Sequence, residues 1–168
     1  RGLGRAIAQK FADNGAKLFL VALHQENLDK ARAELSQKGA EIAVLAADIA
    51  ESVNSDKIVE QTLKKFETID ILVNCAGTIT RTPMESLPHS DWHRVVDVNL
   101  NGTFYLCQAV LPILCKKNYG KIINITSQMS KIPHPSASPS YEVSKAGMEA
   151  LTRHLAFHYA RYNICVNA

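Results

Sequence analysis

The chain has 168 residues, of which 46% are hydrophobic and 21% are charged, and its formal net charge is +3. This length and composition predict one globular domain, residues 1–168, with a substantial core. The cations are scattered and no apolar run reaches the length of a membrane span, so we expect neither nucleic acid nor a membrane as a partner.

Apolar runs alternate regularly with amphipathic stretches along the chain. The apolar runs predict strands buried on both faces of a parallel sheet, at residues 17–23, 42–47, 69–73, 121–125 and 163–168. Amphipathic patterns predict helices over 3–14, 26–37, 52–67 and 91–116, and a further helix that opens at Ser138 and Pro139 after a loop, 128–140. We expect Ser90 and Ser138 to be N-caps. The alternation predicts an α/β fold with a doubly wound parallel sheet.

Both ends of the sequence are unusual for such a fold. Gly2 and Gly4 open the first helix although no strand precedes them, and the last predicted strand has no element after it. Because a parallel strand depends on its neighbours, we expect the natural protein to be longer and the fold to be truncated at both ends.

The cysteines and histidines give little sign of a disulfide or a metal site. The chain has four cysteines and no Cys-x-x-Cys pair, which predicts reduced thiols and a cytoplasmic location. His89 with His93, and His154 with His158, have the i,i+4 spacing of a helical metal site, but no obvious third ligand accompanies either pair. We therefore expect no bound metal.

Tyr141 and Lys145 are the residues that most directly predict chemistry. They lie one helical turn apart, on one face of the predicted helix. An ammonium close to a phenol favours the phenolate, so the pair can act as general acid and base on a carbonyl or an alcohol. Taken alone, the spacing equally fits an exposed residue pair without function.

Other polar residues are predicted to reach the same rim of the sheet. Ser127 directly follows a buried strand, and Asn99 lies inside the long helix, shortly before Gly102, where local preference disfavours it. Such a breach of local preference often marks a functional kink. Each residue alone fits a structural role better, but together with Tyr141 and Lys145 they predict an active site.

A nucleotide site is predicted beside them, because ligands of doubly wound sheets bind at the carboxyl ends of the strands. Gly2 and Gly4 lie where a helix N-terminus would present free N–H groups to a pyrophosphate. Asp48 ends one strand, and residues 74–77 end the next with small side chains that permit close backbone approach. Glycines also serve ordinary turns, and Asp48 equally fits a helix cap or a turn.

In this combination the sequence resembles the short-chain dehydrogenase/reductase family, especially 3-oxoacyl-carrier-protein reductases and sugar or polyol dehydrogenases. Residues 1–6 resemble the end of the family's glycine-rich loop, and residues 74–77 resemble its Asn-Asn-Ala-Gly motif with Cys in the second place. The matches to the family's catalytic tetrad are Asn99, Ser127, Tyr141 and Lys145. The resemblance implies a Rossmann-like domain that binds NAD(P) and interconverts ketones and secondary alcohols.

The resemblance also implies a role for each residue. Tyr141 exchanges the proton of the substrate oxygen, while Lys145 assists it and holds the nicotinamide ribose. Ser127 hydrogen-bonds the same oxygen, and Asn99 orders a water in a proton relay to Lys145. The implied cofactor contacts are Arg1, Gly2, Leu3, Gly4, His24, Asp48, Ile49, Asn74, Ala76, Gly77, Tyr141 and Lys145.

NADP(H) is favoured over NAD(H) as the cofactor. An NAD enzyme of this family places an acidic residue at the end of the family's second strand. That strand corresponds to residues 17–23 here, and no acidic residue follows it before Glu26. Arg1 stands where NADP-preferring relatives often carry a basic residue, and His24 can add a contact to a 2′-phosphate. Arg1 also fits a solvated terminal side chain.

These inferences predict an NADP(H)-dependent oxidoreductase that acts on a small-molecule ketone or secondary alcohol, either a 3-oxoacyl thioester or a keto-sugar or polyol. The alternative is a catalytically silent nucleotide-binding regulator of the same fold, whose mark would be a damaged tetrad; all four tetrad residues are intact in this sequence. The resemblance further implies a homotetramer or homodimer built on the helices at about 91–116 and 139–160.

Overall fold

The computed structural model describes residues 2–37 and 39–168, and within them lie six α-helices and three short 3₁₀ turns. The helices are α1 (Gly2–Asp13), α2 (Gln25–Ser36), α3 (Ser52–Phe66), α4 (His89–Val96), α5 (Gly102–Lys117) and α6 (Pro139–Tyr159). A π-helical turn, Asp97–Asn101, joins α4 to α5, and the 3₁₀ turns are Met84–Ser86, Gln128–Ser130 and Ala160–Tyr162.

The described residues form five strands in two parallel sheets. The strands are β1 (Leu18–Ala22), β2 (Ile42–Ala46), β3 (Ile71–Asn74), β4 (Gly120–Asn124) and β5 (Ile164–Asn167). One sheet pairs β1 with β2, and the other has the order β3-β4-β5. Helices connect the parallel strands of each sheet, as parallel pairing requires. The architecture confirms the predicted α/β, doubly wound class, with parallel strands flanked by helices.

Every predicted strand is present, and the largest shift of a strand boundary, two residues, occurs in β3. The apolar run at 69–73 is displaced, because β3 begins at Ile71 and ends at Asn74. Ile69 is nevertheless buried in the core, and the Asp70 carbonyl accepts the Lys121 N–H at 2.9 Å. The apolar run therefore marks the segment that enters the core. The strand itself begins only at Ile71, where β4 lies opposite.

The predicted N-cap of the long helix is wrong. Helix α4 begins at His89, so Ser90 lies in its first turn, and Pro88 is the residue at the N-cap position. The Pro88 carbonyl accepts the N–H groups of Asp91 and Trp92, both at 3.1 Å. The helix therefore begins two residues before the predicted start at 91, directly after Pro88 with its fixed φ of −61°.

The continuous helical stretch His89–Lys117 has 29 residues and a mean hydropathy of 1.3 in its most apolar part. By length and composition it is long and apolar enough to cross a membrane, which the sequence reading did not identify. In the fold, 44% of that apolar part is buried. Its α4 half packs against α6 and its α5 half against α3, as expected of a core helix.

The main core lies between α5, α6 and the three-stranded sheet. Leu114 of α5 and Ile122 of β4 are fully buried, and Leu155 of α6 and Val166 of β5 pack around them. Complete burial of a Leu or Ile side chain contributes roughly 2–3 kcal/mol, so this cluster fixes both helices against the sheet. A smaller cluster, centred on Leu35 of α2, covers the β1–β2 sheet.

Candidate active site

The candidate site is built from segments that follow the carboxyl ends of the strands. The chain leaves β3 at Asn74 and β4 at Asn124, which are directly opposite each other in the parallel ladder. The predicted motif at 74–77 and the predicted Ser127 therefore emerge at the same edge of one sheet. In doubly wound folds this edge is where ligands bind.

Helix α6 presents Tyr141 and Lys145 on this side of the sheet. The Lys145 Nζ lies 5.8 Å from the centroid of the Tyr141 ring. Lys145 is only 4% exposed, and its Nζ donates to the Ile125 carbonyl at 2.7 Å, just beyond the end of β4. The backbone that leads to Ser127 thus holds the ammonium on the same side of α6 as the phenol ring.

Lys145 is a buried cation with few partners. Burial lowers the pKa of its ammonium from the usual 10.5, and the nearby Cys75 thiol acts weakly in the opposite direction. Besides the Ile125 carbonyl, the described partner of Nζ is the Met148 Sδ at 3.5 Å, a weak acceptor. An ammonium has three donors, so the site retains capacity for a polar ligand at this position.

Asn99 lies in the π-helical turn and is fully buried. Its Oδ1 accepts the Thr78 N–H at 2.8 Å, while its Nδ2 donates to the Thr78 carbonyl at 2.9 Å and to the Ser144 Oγ at 3.0 Å. The break in local preference at Asn99 coincides with this π-helical turn, a feature that often occurs at functional sites. The amide joins the segment after β3 to helix α6.

Ser127 is in extended conformation at the start of the 3₁₀ turn Gln128–Ser130. Its Oγ accepts the Met129 N–H at 3.2 Å, and its carbonyl accepts the Ser130 N–H at 3.0 Å. Ser130 Oγ also hydrogen-bonds the Glu149 carboxylate of α6. The loop that carries Ser127 is therefore fixed to the same helix that carries Tyr141 and Lys145.

A buried amide network lies beneath the rim. Asn74 Nδ2 donates to Asn124 Oδ1 at 2.8 Å, and Asn124 Nδ2 donates to Thr152 Oγ1 of α6 at 2.9 Å. Asn74 Oδ1 is buried without a hydrogen-bond partner among the described residues. Burial raises the pKa of the Cys107 thiol to about 12, against an opposing bond from Asn74, so Cys107 is a packing group here. Asn74 therefore joins strands and helix, with one buried acceptor left unpaired.

Gly77 and Gly4 both lie close to side chains of other segments. A Cβ at Gly77 would lie 3.2 Å from Asn99 Oδ1 and 3.7 Å from Lys145 Nζ. A Cβ at Gly4 would lie 3.4 Å from Cys75 Sγ. The N-terminal turn of α1 and the segment after β3 therefore approach each other, while Ala76 and Gly77 are exposed at the open edge.

Asp48 and Ile49 follow β2 and are tied to the long helix. Asp48 Oδ1 accepts the Ala50 N–H at 3.0 Å, and its Oδ2 pairs with Arg94 Nη1 at 2.7 Å. Burial acts to raise the pKa of Asp48, but these two bonds and the Arg94 charge outweigh it and lower the pKa below 3.8. The Ile49 carbonyl lies 2.8 Å from where a Gly102 Cβ would be, so only glycine fits there.

The remaining predicted nucleotide contacts lie at the N-terminal side. Helix α1 begins at Gly2, whose φ of +64° suits glycine, and its first turn contains no acidic residue. Leu3 is 56% exposed. His24 is exposed at the N-cap position of α2, and its side chain makes no capping bond. Arg1 lies outside the described residues.

Sequence reasoning missed the residues that hold the predicted ones in place. Thr78 and Ser144 bind Asn99, Arg94 binds Asp48, and Glu149 binds the loop after Ser127. They carry no local pattern, because their partners are distant in sequence. Within residues 2–37 and 39–168, no group of three or more His, Cys, Asp and Glu residues could hold a metal ion.

Comparison with known proteins gives consistent matches over the whole length. The model of the family described as short chain dehydrogenase matches residues 1–168. A 3-oxoacyl-[acyl-carrier-protein] reductase of Synechocystis sp. is 34% identical, over 100% of this chain and 68% of that protein. A CLA biosynthesis dehydrogenase/reductase of Lactiplantibacillus plantarum is 33% identical, over 99% of this chain and 58% of that protein.

Two solved structures share the fold. The structure of an NAD+-bound xylitol dehydrogenase has a TM-score of 0.94 and 32% identity, covering 98% of this chain and 64% of that one. A gluconate 5-dehydrogenase of Burkholderia cenocepacia, in complex with NADP and tartrate, has a TM-score of 0.92 and 30% identity, covering 99% and 65%. The chain thus spans 58% of the length of one of these relatives and about two thirds of the others.

Proposed function

Because the chain belongs to the short chain dehydrogenase family, we propose that the whole protein is an NAD(P)-dependent oxidoreductase for ketones and secondary alcohols. The observation that carries this proposal is the Tyr141–Lys145 pair. The buried Lys145 ammonium lies 5.8 Å from the centroid of the Tyr141 ring, at the sheet edge where ligands of such folds bind. Residues 1–168 then belong to one nucleotide-binding and catalytic domain.

The residues at this edge fit a dinucleotide. Gly4 of α1 lies beside Cys75, and Gly77 leaves room beside Asn99 and Lys145. Lys145 has one N–H left to donate to a ribose hydroxyl, since Ile125 and Met148 accept the other two. Contacts to the cofactor are proposed for Gly2, Leu3, Gly4, His24, Asp48, Ile49, Asn74, Ala76, Gly77, Tyr141 and Lys145, and for Arg1. When bound, the nicotinamide supplies or accepts the hydride.

The protein's own residues would control the proton. Tyr141 gives its proton to the substrate oxygen during reduction and takes it back during oxidation, while Lys145 stabilises the phenolate. Ser127 donates a hydrogen bond to the oxygen as charge develops on it. The proposed role of Asn99 is to order a water that connects Lys145 to solvent. Because the Asn99 side chain is hydrogen-bonded to Thr78 and Ser144, the group proposed to bind this water is the Asn99 backbone.

We propose NADP(H) as the preferred cofactor. No acidic residue follows β1 before Glu26, and His24 is exposed there with a free side chain. An acid at this place would bind a ribose 2′-hydroxyl and repel a 2′-phosphate. The related structures include one with NAD+ and one with NADP, so the proposal rests on this chain's own residues.

The proposed substrates are 3-oxoacyl thioesters or keto-sugars and polyols. The relatives named above include a 3-oxoacyl-carrier-protein reductase, a xylitol dehydrogenase and a gluconate 5-dehydrogenase. We further propose that the protein is a cytoplasmic homotetramer or homodimer that associates through α5 and α6. The four free cysteines fit a reducing location.

The decisive experiment is the Tyr141→Phe substitution in the full-length protein. Wild-type protein is assayed with a panel of ketones and polyols, using NADPH and NADH, and nucleotide binding is measured by fluorescence. We expect Tyr141→Phe to lower kcat by about 10³-fold or more, because it removes the proton donor, and to leave nucleotide affinity within about twofold. Turnover of Tyr141→Phe at the wild-type rate would refute the proposal. Nucleotide binding without any turnover by the wild type would favour the regulator instead.

A further inference from the structure

Three hydroxyl groups form a continuous hydrogen-bonded chain at the start of α6. Thr80 Oγ1 donates to Ser138 Oγ at 2.7 Å, and the Oγ atoms of Ser138 and Ser140 are also 2.7 Å apart. Ser138 and Ser140 are fully buried. The Ser138 N–H donates to the Thr80 carbonyl at 3.2 Å, so backbone and side chains join the two segments.

The Ser138 hydroxyl does not act as a helix cap. Ser138 occupies the N-cap position as predicted, but its side chain makes no bond to the free N–H groups of the first turn. The Tyr141 N–H is bound by the Ser138 carbonyl at 3.0 Å, and Pro139 has no N–H to satisfy. The hydroxyl is instead hydrogen-bonded to the hydroxyl groups of Thr80 and Ser140. Its function is therefore to fix the helix end against a neighbouring segment.

That neighbouring segment is itself fixed to α6 at a second point. Thr78 is held on both its N–H and its carbonyl by Asn99, whose Nδ2 also binds Ser144. The segment after β3 therefore contacts α6 through Ser138 just before Tyr141, and through Asn99 and Ser144 just after it. Tyr141 therefore lies between two anchors along α6, and the side-chain bonds of the first anchor are all made by hydroxyl groups.

We propose that the hydroxyl chain of Thr80, Ser138 and Ser140 positions the Tyr141 phenol for proton transfer. The proposal rests on the proposed function of Tyr141 as the general acid and base. Thr80 Oγ1 donates to Ser138 Oγ, and the hydroxyls of Ser138 and Ser140 share the second bond, so loss of one member leaves a buried hydroxyl without one of its partners. Since an error of about 1 Å in a reacting group can cost about 100-fold in rate, a looser first turn lowers kcat.

The main test is Thr80→Val in the full-length protein, because valine keeps the shape of threonine and removes the donor. We expect kcat with the best carbonyl substrate to fall about 10- to 100-fold, while KM and the Kd for NADPH change less than about twofold. Thr80→Ser, which restores the hydroxyl, should return kcat to within about threefold of wild type. The matched control is Thr62→Val on α3, whose Oγ1 bonds the Ile58 carbonyl far from the site, and it should leave kcat unchanged.

A double-mutant cycle tests whether the hydroxyls act as one chain. Thr80→Val combined with Ser138→Ala should lower kcat no more than the stronger single variant, since either change breaks the same chain. If Thr80→Val does not fold, Ser140→Ala removes only the last hydroxyl, and it should show the same loss in kcat.

The outcomes separate this proposal from the proposed function. Wild-type kcat in folded Thr80→Val, or in Ser140→Ala where Thr80→Val does not fold, would overturn the positioning role while Tyr141→Phe remained inactive. Failure of Thr80→Ser to recover activity would overturn it as well, because packing and not the hydroxyl would then be responsible. Wild-type turnover by Tyr141→Phe would instead refute the proposed function itself.

Discussion

Asn99 joins three segments of the site through one amide. Its Oδ1 and Nδ2 bind the N–H and the carbonyl of Thr78, as a neighbouring strand would, and Nδ2 also reaches Ser144 of α6. Its own carbonyl accepts the Thr103 hydroxyl at 2.8 Å. The π-helical turn places this amide inside the protein, where a regular helix would disfavour it. Asn99 is thus a structural link between these segments.

We predict that Asn99→Ala lowers the free energy of unfolding by about 3 kcal/mol, because the half-buried Thr78 backbone loses both of its bonds to Asn99 and the buried Ser144 hydroxyl loses one donor. Urea unfolding measures this change. The matched control is Asn101→Ala in the same turn, where the lost bond is to the half-buried Asp97 carboxylate at 2.7 Å and the expected cost is below about 1 kcal/mol. Equal costs for the two variants would show that the amide clamp does not contribute as proposed.

At the scale of elements, an ion pair joins the end of β2 to helix α4. Arg94 Nη1 lies 2.7 Å from Asp48 Oδ2, and the two side chains are 47% and 26% exposed. Because the pair is partly exposed to solvent, it contributes about 1 kcal/mol or less to the free energy of unfolding. Asp48 also binds the Ala50 N–H, so the carboxylate fixes the turn as well as the helix.

The contribution of this pair should depend on pH. The folded state holds the pKa of Asp48 below its ordinary value of 3.8. At a pH between the folded-state pKa and 3.8, the unfolded state therefore binds more protons than the folded state. The stabilisation is therefore complete above pH 3.8 and is lost as pH falls through the folded-state pKa. A cycle of Asp48→Asn and Arg94→Gln, measured by urea unfolding, should give a coupling of up to about 1 kcal/mol at neutral pH that declines in acid. The control pair, Asp29 and Arg32, is more exposed and should couple less. A coupling that stays constant into acid would contradict the prediction.

Elements with a strong repeating pattern were predictable from the sequence, whereas their exact ends and cross-links were not. The buried runs and amphipathic stretches each became a strand or a helix, because their hydrophobic period alone fixes which face is buried. The start of α4 at His89 depended on Pro88, and the kink at Asn99 was predicted only as a break in local preference. The Thr80–Ser138 bond joins residues 58 positions apart, and nothing local encodes it.

At the scale of the whole molecule, one surface is unusually apolar. Phe157 of α6 is 81% exposed, and Phe104 of α5 is 42% exposed. A groove of about 440 Å³ lies between the two helices, lined by Phe104, Leu111, Leu151, His154 and Tyr159 among others. Large exposed aromatic side chains beside an apolar groove are typical of an association surface. We proposed above that a second copy of the protein covers this surface.

If so, Phe157→Glu should weaken assembly, since it places a charge where an aromatic side chain would be buried. Light scattering of the full-length protein should give a mass at most half that of the wild type, with little change in thermal unfolding of the subunit fold. The matched control, Ala33→Glu, adds the same charge to an exposed position on α2, away from the groove, and should leave the mass unchanged. A monomeric wild type, or a Phe157→Glu variant of wild-type mass, would contradict the proposed interface. Loss of assembly together with loss of turnover would further show that the α6 helix needs its partner to hold Tyr141 in place.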